Sequence, residues 1–503
     1  MRRVGWRRPA ALLLPAALAL ALNAATVTGT FQGDDFSFVV RHRQDGPEFL
    51  FQAFRELHID VYYRPVIDLW LFAQQKAFDA DPYGWHAVSV ALHAATAAAL
   101  ALLVLALTRR ALPAGLAGVL FALTPAYAGG VAWVANQTEL LAGLLATLAL
   151  TLLVTALRDR FRPALYAASV AVYGLALGSK EVAVAVLAPV CLYVLLRAGE
   201  AGWRPLRDPR PGPALRAAAP LLPFLAVTAA WGAAQAYVTL ALEPPRLPYY
   251  HLGTHAVETV RYYALRLVLP TNRNATGWDA LADVPEGLHS PVSYLALALV
   301  LGGALLALVR GSTASRTLAA WLLAALVPGS FWEAFFVSAR WVYAPALPFA
   351  GLVALGAVRA AEALPWSRPR AAGALAAVVA LLALPCAAGT WRQNALVNEM
   401  GEREMAFVRQ LEALALAVPP GTTIYLVDTP WNGDFSYAES MAQMLYGPSV
   451  RVRQATAAEL AGLPVGDGTG GETLVLGMAD GRLAVLRPDA SGASPPAEGA
   501  AVP

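Results

Sequence analysis

The sequence predicts a polytopic α-helical membrane protein, with about 11 transmembrane helices and a small C-terminal α/β soluble domain. Three observations predict it. The 503 residues are 58% hydrophobic and only 14% charged, far less charge than the surface of a soluble chain of this length carries. The apolar residues gather in runs that approach the roughly 20 residues a helix needs to cross a bilayer. The arginines collect in alternate short loops between those runs.

The apolar runs occupy residues 9–27, 84–107, 112–132, 139–157, 163–178, 181–197, 217–241, 291–310, 317–329, 341–358 and 371–391. Residues 255–269 are apolar but short, as in an interfacial or re-entrant helix. The basic start, Arg2, Arg3, Arg7 and Arg8 before an apolar stretch, fits a signal peptide or a first helix. The poor cleavage context at Leu22-Asn23-Ala24 favours a retained helix.

Positive charge orients the spans. With the N-terminus in the cytoplasm, the loops holding Arg109 and Arg110, residues 158–162, 197–216, 310–316 and 359–370 are all cytoplasmic. Residues 28–83, 133–138, 178–181, 242–290, 330–340 and the tail from 392 then face outward, as in a bacterial inner or cell membrane. In the first external loop, 28–83, Phe49, Phe51, Phe54 and Leu57 recur at helical spacing, and so do Ile67, Trp70, Leu71 and Phe78. Both stretches, 47–58 and 65–78, read as amphipathic helices on the membrane surface.

Charge returns near residue 394, which divides a membrane domain (1–393) from an extracytoplasmic α/β domain (394–490). That domain reads as a helix over 401–417, a strand over 422–428 after a Pro-Pro-Gly turn, a helix over 437–445, a strand over 450–454 and a hairpin from 472–476 and 483–486. Residues 491–503, rich in Ala, Pro, Gly and Ser, read as a disordered tail.

Several chemistries are absent from the sequence. The two cysteines, Cys191 and Cys386, lie in apolar runs and build neither a disulfide framework nor a zinc motif. No basic groove interleaved with aromatics points to nucleic acid. No P-loop, GxSxG, CxxC or HExxH occurs.

The candidate residues lie on the outward side. Asp34 and Asp35 follow the first run, where Phe36 and Phe38 make the segment partly apolar and suit a general base or a metal ligand. Arg64 precedes a helix start, as a phosphate ligand would, although an interfacial aromatic–arginine anchor has the same pattern. His86 and His93 share one helix face, a pattern that fits packing or hydrogen bonding better than metal binding. Glu139 opens a span. Lys180 and Glu181 sit at a junction between spans, where a charge is costly and is a functional candidate by default, with a self-compensating ion pair as the alternative. Arg340, followed by Trp341 and Tyr343, reads as a snorkelling side chain or as a ligand of a lipid phosphate.

In order along the chain stand Asp34-Asp35, Tyr63-Arg64-Pro65, Trp85-His86, Leu92-His93, Phe121-Ala122-Leu123-Thr124-Pro125, Thr138-Glu139-Leu140-Leu141, Ser179-Lys180-Glu181 and Ala339-Arg340-Trp341-Val342-Tyr343-Ala344-Pro345. Over roughly residues 9–390 this series resembles the GT-C membrane glycosyltransferases, most of all the protein O-mannosyltransferase-like branch with transmembrane and tetratricopeptide-repeat regions. Thr124 stands where that branch has histidine, Glu139 where it has aspartate, and Ala339 where it has glutamate; the α/β domain replaces the repeats. The resemblance implies an inverting transfer from a polyprenyl-phosphate-linked sugar donor to a protein or cell-envelope glycan hydroxyl. Asp34 is then the base and Asp35 an orienter or metal ligand, with a divalent metal left open. The substrate-binding residues are Arg64, His93, Glu139, Lys180, Glu181, Arg340 and Tyr343. The alternative is a transporter or flippase of a lipid-linked substrate, a class that places charges near the membrane midplane on broken helices.

Overall fold

The computed structural model describes residues 7–55, 62–200, 218–241, 253, 255–269, 291–331, 338–416, 418–427, 429, 437–456, 458–459, 473–479 and 481–486. The tail at 491–503, Leu57, Trp332 and Glu333 lie outside the described residues.

The helices run in order as α1 (Arg7–Leu22), α2 (Asp34–Arg41), α3 (Phe49–Gln52), α4 (Pro65–Phe78), α5 (Pro82–Thr108) and α6 (Ala111–Leu123). Next come α7 (Ala128–Ala132), α8 (Gln137–Leu157), α9 (Pro163–Ser179), α10 (Leu187–Glu200), α11 (Leu222–Ala241) and α12 (His255–Val268). Then follow α13 (Pro291–Arg310), α14 (Thr313–Ala325), α15 (Tyr343–Ala363), α16 (Arg368–Ala413) and α17 (Ala438–Tyr446). Four strands accompany α17: β1 (Thr423–Val427), β2 (Arg451–Ala455), β3 (Thr473–Ala479) and β4 (Arg482–Val485).

Each apolar run of the sequence is helical, and local signals set the ends. Before α5, Asp81 accepts a hydrogen bond from the Tyr83 amide at 3.0 Å and Pro82 occupies the first turn, so orphan donors are met or missing. The helix ends on Arg109, whose φ of 60° is left-handed. Among the described residues seven helices are long and apolar enough to cross a membrane, and α6 with Pro125–Ala132, bent by 41°, makes an eighth. Helices α1 and α9 are shorter apolar helices, and α14 has 13 residues.

The chain divides into two units. One comprises Met1–Thr30 and Gln44–Met400, the other Phe31–Arg43 and Gly401–Pro503. The loop between α1 and α5 therefore contributes a segment to the C-terminal unit, which a linear reading of domains cannot foresee. The boundary at 400/401 falls inside α16. The sequence reading separated a span (371–391) from a soluble helix (401–417). The structure joins them into one 46-residue helix, because residues 392–413 contain no proline and only Gly401 to interrupt helical propensity.

Within the membrane unit the basic loops meet at one end. Arg109 pairs with Asp159 and Arg110 with Glu362. Arg197 donates to the Arg158 carbonyl at 2.5 Å, and Thr313 donates to Glu200 at 3.0 Å. Helix α8 leaves this end from its C-terminus, and its 21 residues rise about 31 Å at 1.5 Å per residue. Its first turn, with Glu139, therefore lies at the other end. The same reasoning places the C-terminus of α9 and the N-terminus of α15 there, next to Lys180 and Arg340.

Helix α4 begins with Pro65 in its first turn, and its apolar side is turned into the protein. Ile67 and Leu71 are buried, together with Asp68, Gln74 and Gln75. Gln137 ties α4 to α5 and α8. Its Oε1 accepts from Trp70 Nε1 at 2.9 Å and Gln74 Nε2 at 2.7 Å, and its Nε2 donates to the Trp85 carbonyl and Ser89 Oγ at 3.0 Å each. In α3, by contrast, Phe49 is buried while Phe51 is 75% exposed.

The C-terminal unit carries a four-stranded sheet ordered β2-β1-β3-β4. Strand β1 pairs in parallel with β2 and β3, and β3 pairs antiparallel with β4. Tyr425, Val427, Ala455 and Val475 form its core, with Leu486 packed against them. Helix α17 is fastened to β2 through Glu439, which accepts from the Val452 amide at 3.1 Å and pairs with Arg451 at 2.8 Å. Gln410 of α16 accepts from the Leu483 amide at 2.7 Å.

Candidate active site

The membrane unit gathers five ionic groups from four separate stretches of chain. Arg64 stands immediately before Pro65, in a backbone conformation (φ −132°, ψ 58°) outside the helical region, which a following proline disfavours. Its guanidinium grips Glu181 with two bonds, Nε to Oε2 at 2.9 Å and Nη2 to Oε1 at 2.7 Å. The same group lies 3.9 Å from the centre of the Tyr62 ring. Such a fork-to-fork pair fixes orientation as well as charge.

Glu181 opens a 3-10 turn, Glu181–Val186. Lys180, extended at φ −163° and ψ 142°, separates that turn from α9. The Lys180 ammonium lies 3.1 Å from Glu139 Oε1, with 12% of the Lys180 side chain and 3% of the Glu139 side chain exposed. Burial holds the Lys180 ammonium below its ordinary range; Arg64 and Arg340 push the same way, against Glu139 and Glu181. Glu139 itself sits in the first turn of α8, where the helix dipole favours a negative charge. Its second oxygen, Oε2, is buried without a hydrogen-bond partner among the described residues.

Arg340 belongs to a 3-10 turn, Ala339–Val342, that leads into α15. Its guanidinium stacks on Trp133 at 4.0 Å and lies 5.4 Å from the Trp341 ring. Gly130 lets the chain pass close by: a Cβ there would stand 2.7 Å from Asn136 Nδ2 and 2.9 Å from Arg340 Cβ. Tyr263 of α12 faces the charges of Glu139 and Arg340, and burial pushes its phenol well above the ordinary value. Its hydroxyl has no partner among the described residues. Among the described residues three cations, Arg64, Lys180 and Arg340, thus share one largely enclosed cluster with two carboxylates, Glu139 and Glu181.

His93 and Tyr343 form a different kind of arrangement. His93 Nδ1 and Tyr343 Oη lie 3.3 Å apart, both buried, inside an aromatic cluster with Phe121 and Tyr127. His86 instead meets the Thr30 carbonyl at 3.3 Å. Among the described residues no three His, Cys, Asp or Glu side chains gather to hold a metal ion.

Asp34 and Asp35 belong to the C-terminal unit and occupy the first turn of α2. Gly33 caps that helix at φ 52° and ψ −123°, a backbone conformation that glycine adopts readily. Asp35 is fully buried and accepts from the Gln32 amide at 3.2 Å. Asp34 is half-buried, and its Oδ1 accepts from the Tyr437 hydroxyl at 2.7 Å.

Sequence reasoning named the five charged members of the membrane-unit cluster but not their supports. Trp133 carried no local signal, because its partner lies more than 200 residues away. Arg261, Tyr262, Tyr263 and Arg266 were concealed in a short helix read as interfacial, yet all four are buried. Their spacing on α12, two arginines five apart around a Tyr-Tyr pair, was the signal available.

Fold and charge arrangement together define a polytopic membrane protein of GT-C-like fold with a largely enclosed ionic cluster at one end of its helices. No family model and no curated protein matches the sequence. Solved structures do match. ArnT from Cupriavidus metallidurans bound to undecaprenyl phosphate aligns with a TM-score of 0.53 and 15% identity, covering 96% of this chain and 99% of that one. The apo state of the same enzyme gives 0.48 and 15%, covering 88% and 84%. The archaeal oligosaccharyltransferase AglB from Archaeoglobus fulgidus, in complex with an inhibitory peptide and a dolichol-phosphate, gives 0.48 and 13%, covering 88% and 64%.

Proposed function

We propose that this protein is an inverting glycosyltransferase that moves a sugar from a polyprenyl-phosphate donor to an acceptor hydroxyl on the outer face of the membrane. The observation that carries the reading is the convergence of three cations, Arg64, Lys180 and Arg340, on one largely enclosed cluster, in a fold shared with a protein that binds undecaprenyl phosphate.

The chemistry follows from the charges. The acceptor oxygen attacks the anomeric carbon and loses its proton to Asp34. The bond from that carbon to the phosphate oxygen breaks, and its electron pair leaves with the lipid phosphate. Arg64, Lys180 and Arg340 stabilise the negative charge that develops there. Glu181 and Glu139 hold two of these cations in place, and Trp133 holds the third. Asp35, enclosed and bonded to the Gln32 amide, orients the turn that presents Asp34. His93 keeps Tyr343 in place, one helical turn beyond Arg340. The proton acceptor and the phosphate ligands need a donor whose tail stays in the bilayer, which accounts for a membrane enzyme. The transporter reading finds one suitable feature, the bent span at α6 and α7, but no charged residue occurs between Ala111 and Ala132.

Photolabelling with a diazirine-bearing undecaprenyl phosphate tests the reading. Labelling is expected to be competed by undecaprenyl phosphate, and Arg340→Ala is expected to weaken binding roughly tenfold or more, the scale of one charge-assisted hydrogen bond. Labelling that ignores both the competitor and the substitution contradicts it. Sidedness has its own check. Gln44→Cys, in a chain whose Cys191 and Cys386 are replaced, is expected to react with an impermeant maleimide from outside the cell. Reaction only from the cytoplasm would reverse the proposed topology.

A further inference from the structure

The C-terminal unit does more than follow the membrane helices. It takes in residues 31–43 of the first loop, and the contacts run along one side of α17. Tyr437 bonds to Asp34 at 2.7 Å, Ser440 Oγ shares a hydrogen bond with Ser37 Oγ at 3.0 Å, and the Met444 carbonyl accepts from Arg43 Nη1 at 2.6 Å. Positions 437, 440 and 444 are spaced by three and four residues, one face of a helix. A fourth contact comes from α16, where Glu404 Oε2 accepts from the Gly33 amide at 2.5 Å. Phe36, Phe38, Val39 and Val40 of α2 are buried as well. The acidic pair is therefore built into the C-terminal unit, some 400 residues away in sequence.

From this juxtaposition we infer that the C-terminal domain sets the orientation of the Asp34 carboxylate, with Tyr437 as the positioning residue. The inference rests on the reading of Asp34 as the base. A carboxylate at the start of a short helix rotates about two side-chain bonds, and a phenol donor on Oδ1 fixes that rotation. Asp35 already has the Gln32 amide from its own turn. Asp34 takes its hydrogen bond from Tyr437 instead. The domain that replaces the repeats of the resembling branch thereby acquires a role in catalysis without touching substrate. It also gains a means of control: whatever displaces α17 releases Asp34.

Kinetics on the full-length protein test this. Tyr437→Phe keeps the ring and removes only the donor. It is expected to lower kcat about tenfold, the lower end of the scale for a hydrogen bond to a charged group, and to leave the donor KM unchanged. Ser440→Ala, which loosens the same interface without touching Asp34, is expected to keep kcat near wild type. In an Asp34→Asn background, Tyr437→Phe is expected to cost the residual rate nothing further. A Tyr437→Phe protein with wild-type kcat overturns the inference. So does an equal loss in Ser440→Ala, which would mark general docking instead of positioning. If Asp34→Asn is inactive while Tyr437→Phe is fully active, the base assignment stands and the positioning role falls. If Asp34→Asn turns over like wild type, the base assignment itself falls, and the inference with it.

Discussion

Asp34→Asn is expected to lower sugar transfer by roughly 100- to 10 000-fold, the range that a positioned general base contributes, while binding of undecaprenyl phosphate stays as in wild type. The substitution is nearly isosteric. An asparagine oxygen can still accept from the Tyr437 hydroxyl, so the local fold survives. What disappears is the ability to take a proton from the acceptor. Asp35→Asn is expected to act differently. Asp35 is enclosed and occupied by the Gln32 amide, so its loss perturbs the turn and lowers the rate through Asp34. The measurement is transfer of labelled sugar by purified variants in proteoliposomes, with donor binding measured in parallel. An Asp34→Asn protein that transfers at the wild-type rate would remove the base from the account.

Lys180→Met is expected to destabilise the protein by about 3–5 kcal/mol, the cost of leaving one member of a buried ion pair alone. Glu139 is the reason. It is almost wholly buried, and one of its two oxygens has no partner among the described residues, so removing the ammonium strips the other. Adding Glu139→Leu to Lys180→Met is expected to recover most of that stability, since a well-packed apolar pair often replaces a buried ion pair at little cost. Transfer is not expected to return, because the phosphate has lost a cation. Unfolding midpoints in detergent read the first effect and turnover reads the second. A double variant that regains both stability and turnover would show Lys180 to be purely structural. The single variant unfolding like wild type would show that the pair contributes nothing.

The helices of the membrane unit were legible because a bilayer imposes length and hydrophobicity, which are local properties. Helix α4 falls on Pro65–Phe78 as the periodicity indicates, since Pro65 and the Phe78–Asp79 end are written locally. The strands were legible for a similar reason: a Pro-Pro-Gly turn precedes β1, and Gly481, at φ 74°, closes the β3–β4 hairpin. The charged cluster was legible in part. Each of Arg64, Glu139, Lys180, Glu181 and Arg340 is costly at a helix end near lipid, which makes it conspicuous in isolation. Which carboxylate meets which cation was not legible: the Arg64–Glu181 pair spans 117 residues, and nothing local encodes it. Orientation was harder still. The apolar side of α4 reads as lipid-facing in a hydropathy pattern, yet Ile67 and Leu71 pack within the protein. A pattern gives the buried face of a helix but not what covers it. The least legible feature was the capture of residues 31–43 by a domain that begins some 360 residues later, where contacts such as Tyr437 to Asp34 depend wholly on tertiary structure.

The proposed activity consumes a lipid-linked sugar. The most direct measurement reconstitutes the purified chain with radiolabelled sugars on undecaprenyl phosphate, mannose first, and follows both the label and the released lipid phosphate. The account predicts that label passes to a hydroxyl acceptor with inverted anomeric configuration, and that one undecaprenyl phosphate appears for each sugar transferred. Intact labelled lipid that crosses the bilayer without being consumed, or a chain inert toward every donor while folded, would contradict it.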